Sequence, residues 1–273
     1  MKHDWSEHTL TWILFSCHNP DMSNLIQRTT ELAMHIVSGY VRPGDTVIDA
    51  TCGNGHDTLR LAKMGPKTVF AFDVQPEAID ATRALLQQEG FPVSKDWSVN
   101  DDSLSACKDW SVNSDSLSAC KDWSVSADAP AGRARVVLAC LGHERMAEFF
   151  RANTGPETSY ANAGPETIPA NTGPEGFASA IVFNLGYLPG GDKARTTKAE
   201  TTLEAVRASL FLLKKNGLLC LTMYSGHPEG AEEKRALLAF AEGLDPKHWH
   251  VCSLSMPNQK NHPPEILLIS RKK

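Results

Sequence analysis

Short apolar runs alternate along the chain with stretches of helical periodicity. Leu25, Ile26, Leu32, Ala33 and Ile36 recur at helical spacing behind Ser23, which predicts a capped helix ending near Ser38. A Pro43-Gly44-Asp45 turn follows, then a β-branched strand over 46–50. A tight loop at 52–56 leads into a helix opened by Asp57 and carried by Leu59, Leu61 and Ala62. A second strand covers 68–73, and Pro76 starts a helix that Gly90 ends. Further strands are expected at 135–141, 180–184, 217–224, 250–254 and 265–270, with helices over 201–213 and 231–242. Seven strands interleaved with helices imply an α/β, Rossmann-like fold, a mostly parallel sheet with helices on both faces. Such sheets bind ligands beyond the carboxyl ends of their strands, near the point where the strand order reverses.

Two tracts break the rhythm. A 13-residue unit repeats from Ser94 to Gly132, and a nine-residue unit repeats from Ala152 to Ala178. These Ser/Asp- and Gly/Pro-rich units carry too few large apolar side chains to offset their ordering entropy, so both are read as expanded surface loops. A partner-binding array is the alternative. The expected organisation is an N-terminal extension over 1–22, then a single domain over 23–273 with inserts at 93–132 and 152–176.

The inserts change how the charge is read. The whole chain carries a formal −5, but the two inserts hold −7 of it and the remaining domain is +2. Acidity of the whole chain therefore does not exclude a nucleic-acid partner. The rest of the composition, 41% hydrophobic and 22% charged over 273 residues, is ordinary globular material. No apolar run approaches the roughly 18–20 residues of a membrane span. Leu10 to Phe15 is too short and too close to acidic residues for a signal peptide. The seven cysteines form no CxxC pair, which reads as reduced thiols without a disulfide framework or metal site. The expected location is cytoplasmic.

The informative residues fall just after the strands. Asp49-Ala-Thr-Cys-Gly53-Asn54-Gly55-His56-Asp57 places two turn-making glycines before a helix. A dinucleotide fingerprint needs a third glycine where Thr58 stands. Asp49 would repel a pyrophosphate and suits a cationic amino group, so S-adenosylmethionine fits better; a purely structural turn is the bland reading. Asp73 ends the second strand, where a carboxylate can accept ribose hydroxyls, with Gln75 close behind. Asp73 could equally cap the helix from Pro76. After the fourth strand comes Asn184-Leu185-Gly186-Tyr187, similar to the [Asn/Asp]-Pro-Pro-[Tyr/Phe] motif of amino-group methyltransferases. An amide oxygen there can accept an amine N–H and aim its lone pair, and an aromatic ring can stack on a base. A glycine-rich turn is the competing reading.

These segments, with 141–146, Thr201-Thr202, 224–230 and 258–264, occur in an order that resembles the YtqB/MnmM family. The resemblance runs from about Leu25 to the C-terminus outside the inserts. It implies a class I S-adenosylmethionine-dependent methyltransferase that methylates the 5-aminomethyl group of 2-thiouridine at the tRNA wobble position. Carried over, Gly53, Asn54, Gly55, Asp73, Gln75 and His143 line the cofactor, joined by Asp49 and Asp57 of the same loop. Asn184 and Tyr187 serve the reacting amine. Gly142 and His262 depart from the family habit of serine and aspartate. An alkylammonium must lose a proton before it can attack. His227, Tyr224 and His143 are candidate bases beside plain water, and a His in a Gly-His-Pro turn is more often structural. The implied partner is the tRNA anticodon stem-loop, held by basic residues among Lys193, Arg195, Lys198, Arg207, Lys214, Lys215 and 271–273. No membrane or metal partner is expected, and assembly as a homodimer is an option. The rivals are a methyltransferase for rRNA, protein or small-molecule amines, and a non-catalytic module that binds through its repeats.

Overall fold

The computed structural model describes residues 28–93, 97–98, 133–154, 176–186 and 197–272. Chain order gives α1 (Thr29–Ser38), β1 (Thr46–Asp49), α2 (His56–Lys63), β2 (Thr68–Asp73), α3 (Pro76–Gln88) and β3 (Trp97–Ser98). Then come β4 (Arg135–Cys140), a 3-10 turn (His143–Arg145), α4 (Met146–Thr154) and β5 (Ala178–Asn184). The chain continues through α5 (Ala199–Leu212), β6 (Leu213–Met223), α6 (Pro228–Glu242), β7 (Trp249–Leu254) and β8 (Glu265–Arg271).

The strands form one sheet in the order β3-β4-β2-β1-β5-β6-β8-β7. β1 to β6 are mutually parallel, and β8 lies antiparallel between β6 and β7. From the central β1 the chain runs outward through β2 and β4, then returns to lay β5 on the other side. The order therefore reverses between β1 and β5, and the carboxyl ends of these two strands flank the crevice.

Strand alternation sorts the core into two layers. Ile48, Phe70, Phe72, Phe183 and Leu221 face α4, α5 and α6 through Phe149, Phe150, Val206 and Leu237. Val47, Val69, Ala71, Val136 and Leu138 face α1, α2 and α3 through Val37, Leu61 and Leu86. On the first face Phe70, Phe72, Phe149 and Phe150 meet edge to face, with ring centroids 5.0–6.0 Å apart.

The expected strands and their parallel core are present, with four differences. Trp97–Ser98 adds a short eighth strand beside β4, inside the tract read as a loop. Helix α4 was not expected; its apolar Met146, Phe149 and Phe150 sit at i, i+3 and i+4, but the second repeat begins within its last turn. β6 starts at Leu213 instead of 217. The register jumps from Ala178↔Leu213 to Ala180↔Leu218, and Asn216 at φ 58° turns the extra residues out of the ladder. Helix α1 begins at Thr29 behind an extended Arg28 (φ −122°, ψ 104°), so Ser23 does not cap it as expected; the extension over 1–22 lies outside the described residues. So do most of both inserts. Among the described residues no helix is long and apolar enough to cross a membrane.

Candidate active site

Three hydrogen-bonded ties build the crevice. The first joins the glycine loop to the end of β2. The Asp73 carboxylate accepts from the Gly53 amide at 3.0 Å and from the Gln75 amide at 2.9 Å. A carboxylate has about four acceptor sites, so capacity remains for ribose hydroxyls. Burial raises its pKa, and the backbone N–H groups pull it back. Asp73 thus both shapes the loop and presents an acid to the crevice. Gln75 is buried and occupies the N-cap position of α3. Val74, 66% exposed between them, offers an apolar face to a base.

The second tie closes the loop from beneath. Gly53 and Gly55 have φ of 51° and 83°. A Cβ on Gly55 would meet the Thr82 Cα at 2.8 Å, so α3 packs directly on the loop backbone. Thr82 donates to the Gly53 carbonyl at 2.9 Å. Asp49 lies below, 1% exposed, accepting from the Thr58 hydroxyl at 2.6 Å and the Thr51 amide at 3.2 Å. Burial, with Asp57 nearby, pushes Asp49 up to about 7. Asn54 sits at the loop apex, half-buried.

The third tie spans the reversal point. The Thr51 hydroxyl accepts from the Asn184 amide at 2.7 Å and donates to the Asn184 carbonyl at 3.3 Å. The Asn184 side-chain nitrogen donates to Asp57 at 3.1 Å, while its Oδ1 is buried without a partner among the described residues. Tyr224 lies alongside; burial raises its pKa, partly offset by a hydrogen bond from Asn184. Past Asn184, Gly186 donates to the Thr197 hydroxyl at 3.0 Å, and Thr197 and Thr202 both donate to Glu233 of α6, at 3.0 and 2.6 Å. Glu233 is 2% exposed, and burial raises its pKa.

The structure therefore brings Asp49, Gly53, Gly55, Asp57, Asp73, Gln75 and Asn184 around one crevice. His143 opens the 3-10 turn just after β4, its ring 5.8 Å from that of Phe183 in β5, with burial lowering its pKa. Tyr187 lies outside the described residues. His227 is a helix cap: its Nδ1 accepts from the Gly230 amide at 3.1 Å at the start of α6. The same Nδ1 lies 3.3 Å from the Glu229 carboxylate, so the ring is held at the start of α6. Thr51, Thr58, Thr82 and Glu233 were missed. Their signal was weak, because a threonine reads as strand or helix filler until its partner is known.

The basic candidates divide by sheet edge. Lys214 pairs with Asp45, ahead of β1, and Arg271 donates to the Leu213 carbonyl at 2.8 Å. Both stand at the amino edge of the parallel strands, away from the crevice, with Lys215 and Lys272 next to them in the chain. Arg207 lies over the Phe240 ring at 5.0 Å. Lys198, exposed at the start of α5, is on the crevice side. Lys193, Arg195 and Lys273 lie outside the described residues. Among the described residues no group of three or more His, Cys, Asp or Glu side chains is placed to hold a metal ion.

Comparison with known proteins gives this crevice a class. Residues 42–95 match a family model described as a methyltransferase domain. A methyltransferase of Streptococcus mutans solved in complex with SAH is 27% identical with TM-score 0.59, over 89% of this chain and 98% of that one. The fold and the crevice are those of a class I S-adenosylmethionine-dependent methyltransferase.

Residues 112–270 match the model of the family described as "Putative rRNA methylase", and the chain belongs to that family. A Clostridium thermocellum protein of the same description is 28% identical with TM-score 0.61, over 89% of this chain and 97% of that one. An Arabidopsis thaliana relative, the chloroplastic tRNA (mnm(5)s(2)U34)-methyltransferase, is 31% identical over 252 residues, 90% of this chain and 70% of that relative. Ribosomal protein L11 methyltransferase of Geobacillus kaustophilus shares only 55 residues, 18% of its length, at 40% identity.

Proposed function

We propose that this enzyme methylates the aminomethyl nitrogen of 5-aminomethyl-2-thiouridine at the wobble position of tRNA. The observation that carries the reading is the Asn184 Oδ1, a buried acceptor without a partner among the described residues, at the reversal point of the sheet. An amine with N–H groups to donate satisfies it. The plant relative, whose name specifies that wobble nucleoside, supports the same substrate.

The residues fit the cofactor. Asp73 has acceptor capacity for ribose hydroxyls, the loop turns sharply at Gly53 and Gly55, Val74 offers an apolar surface, and buried Asp49 favours a cationic amino group. When bound, S-adenosylmethionine supplies an electrophilic methyl group. Asn184 accepts one amine N–H and so directs the lone pair. The Thr51 bonds on both sides of its backbone hold that direction fixed. The ammonium proton leaves to water, because the His227 Nδ1 is engaged as a cap and the Tyr224 phenol is pushed up, not down. Tyr187 follows Asn184 closely in the chain, and its aromatic ring suits stacking on the thiouracil base. We place Asn54 and His143 with the cofactor and Lys198 with the anticodon stem-loop. We also propose that the enzyme works in the cytoplasm, which cell fractionation tests.

The test supplies purified enzyme and S-adenosylmethionine with tRNA bearing the aminomethyl group, or with tRNA lacking it. Nucleoside mass spectrometry should show one added methyl on the first alone. Transfer to rRNA or to a protein amine in place of tRNA would refute the substrate.

A further inference from the structure

An asparagine amide has a donor end and an acceptor end, and which end faces the reaction decides what the site can take. At Asn184 the choice is made by Asp57. An ionised carboxylate only accepts hydrogen bonds, so the amide nitrogen must turn toward the Asp57 Oδ2, 3.1 Å away. Tyr224 lies beside the same amide, which offsets part of the rise that burial gives its pKa. Oδ1 is what remains, buried and free of any described partner. Asp57 is backed on its other side by Arg60, whose guanidinium lies 3.6 Å from Oδ1 of Asp57 and also pairs with Glu31 of α1. Burial works against the Asp57 charge, and Arg60, the Asn184 N–H and His56 work for it.

We infer that Asp57 is the positioning residue that makes Asn184 present its oxygen to the substrate, so that the slot reads an amine that donates N–H. Its sequence position in the cofactor loop had suggested a cofactor contact. The structure instead points its Oδ2 across the reversal point at β5. With Asp57 replaced by alanine the amide loses its obligatory acceptor and can rotate. Oδ1 then meets the amine only part of the time, and the –NH2 end opposes the incoming N–H. The inference rests on the amine reading of Asn184 proposed above.

The experiment is a double-mutant cycle of Asp57→Ala, Asn184→Ala and the pair, with turnover on aminomethyl-bearing tRNA and S-adenosylhomocysteine affinity measured on each. Asp57→Leu, which is of similar size and cannot accept a hydrogen bond, is the second variant in case alanine fails to fold. If Asp57 acts through Asn184, its loss lowers turnover about 10- to 100-fold, the scale of a misplaced reacting group. The pair should then be no slower than Asn184→Ala alone, with product affinity unchanged throughout. Additive losses, or a fall in S-adenosylhomocysteine affinity that accounts for the lost turnover, would overturn the inference and return Asp57 to the cofactor. A wild-type enzyme inactive on this tRNA would instead sink the proposed substrate.

Discussion

Replacing Gly55 by alanine should break the cofactor loop, and the structure supplies its own control. Gly55 has φ 83° and Gly44 has φ 90°, so a side chain at either position bears the cost of left-handed backbone, about 1–2 kcal/mol. The surroundings differ. A Cβ at Gly44 meets nothing within 4 Å, whereas at Gly55 it meets Thr82 Cα at 2.8 Å, Oγ1 at 2.9 Å and Cβ at 3.0 Å. Thr82 is fully buried in α3, so relief means shifting helix backbone against a packed core. Overpacking of that kind adds about 1–3 kcal/mol. Denaturant unfolding should therefore show Gly55→Ala weaker than Gly44→Ala by that margin. The shift would also carry Thr82 away from the Gly53 carbonyl, which should lower S-adenosylhomocysteine affinity for Gly55→Ala alone, measured by calorimetry. Equal destabilisation of the two variants would refute the close packing of α3 on the loop.

Asp73→Ala removes the acceptor for the Gly53 and Gln75 amides as well as any ribose contact. Hydrogen bonds to a charged group are worth about 1.5–3 kcal/mol, or roughly 10- to 100-fold in cofactor affinity; unchanged binding would remove Asp73 from the site. Asp49 titrates near 7 in the folded protein against 3.8 for a free side chain. Its contribution to the stability of the cofactor-free protein should be full below about pH 4 and be lost as pH rises to about 7, an order of 4 kcal/mol at most. Asp49→Asn should flatten that part of the unfolding curve, and parallel pH curves for both proteins would contradict the assignment. We propose that the first insert is dispensable for catalysis. Because Trp97–Ser98 pairs with β4 in parallel, residues 99–132 should be replaced by a flexible linker of about a dozen residues, the length a parallel crossover needs. Loss of turnover with the fold intact would assign the repeats a role.

The parallel sheet was legible because its strands are buried on both faces and read as continuous apolar runs between turn signals. Asp73 and Asn184 were legible for a topological reason: strand ends at the carboxyl edge are where such a sheet can bind. What stayed hidden depended on long-range pairing. Thr51 meets Asn184, Thr82 meets Gly53 and Glu233 meets Thr197 across separations no local pattern records. His227 had two readings, a candidate base and a structural residue of a Gly-His-Pro turn, and the cap it forms on α6 agrees with the second. Lys214 and Arg271 were grouped with the substrate side by charge alone, whereas strand direction puts them at the far edge.

We propose that Asn184 serves the amine and not the cofactor, which is tested by following methyl transfer to the wobble nucleoside and S-adenosylhomocysteine affinity on the same preparations of wild type and Asn184→Ala. Turnover should fall about 100-fold or more, the scale set by loss of one oriented polar group, with affinity within a factor of about 3. Affinity that collapses while the remaining turnover at saturating cofactor stays near wild type would contradict it.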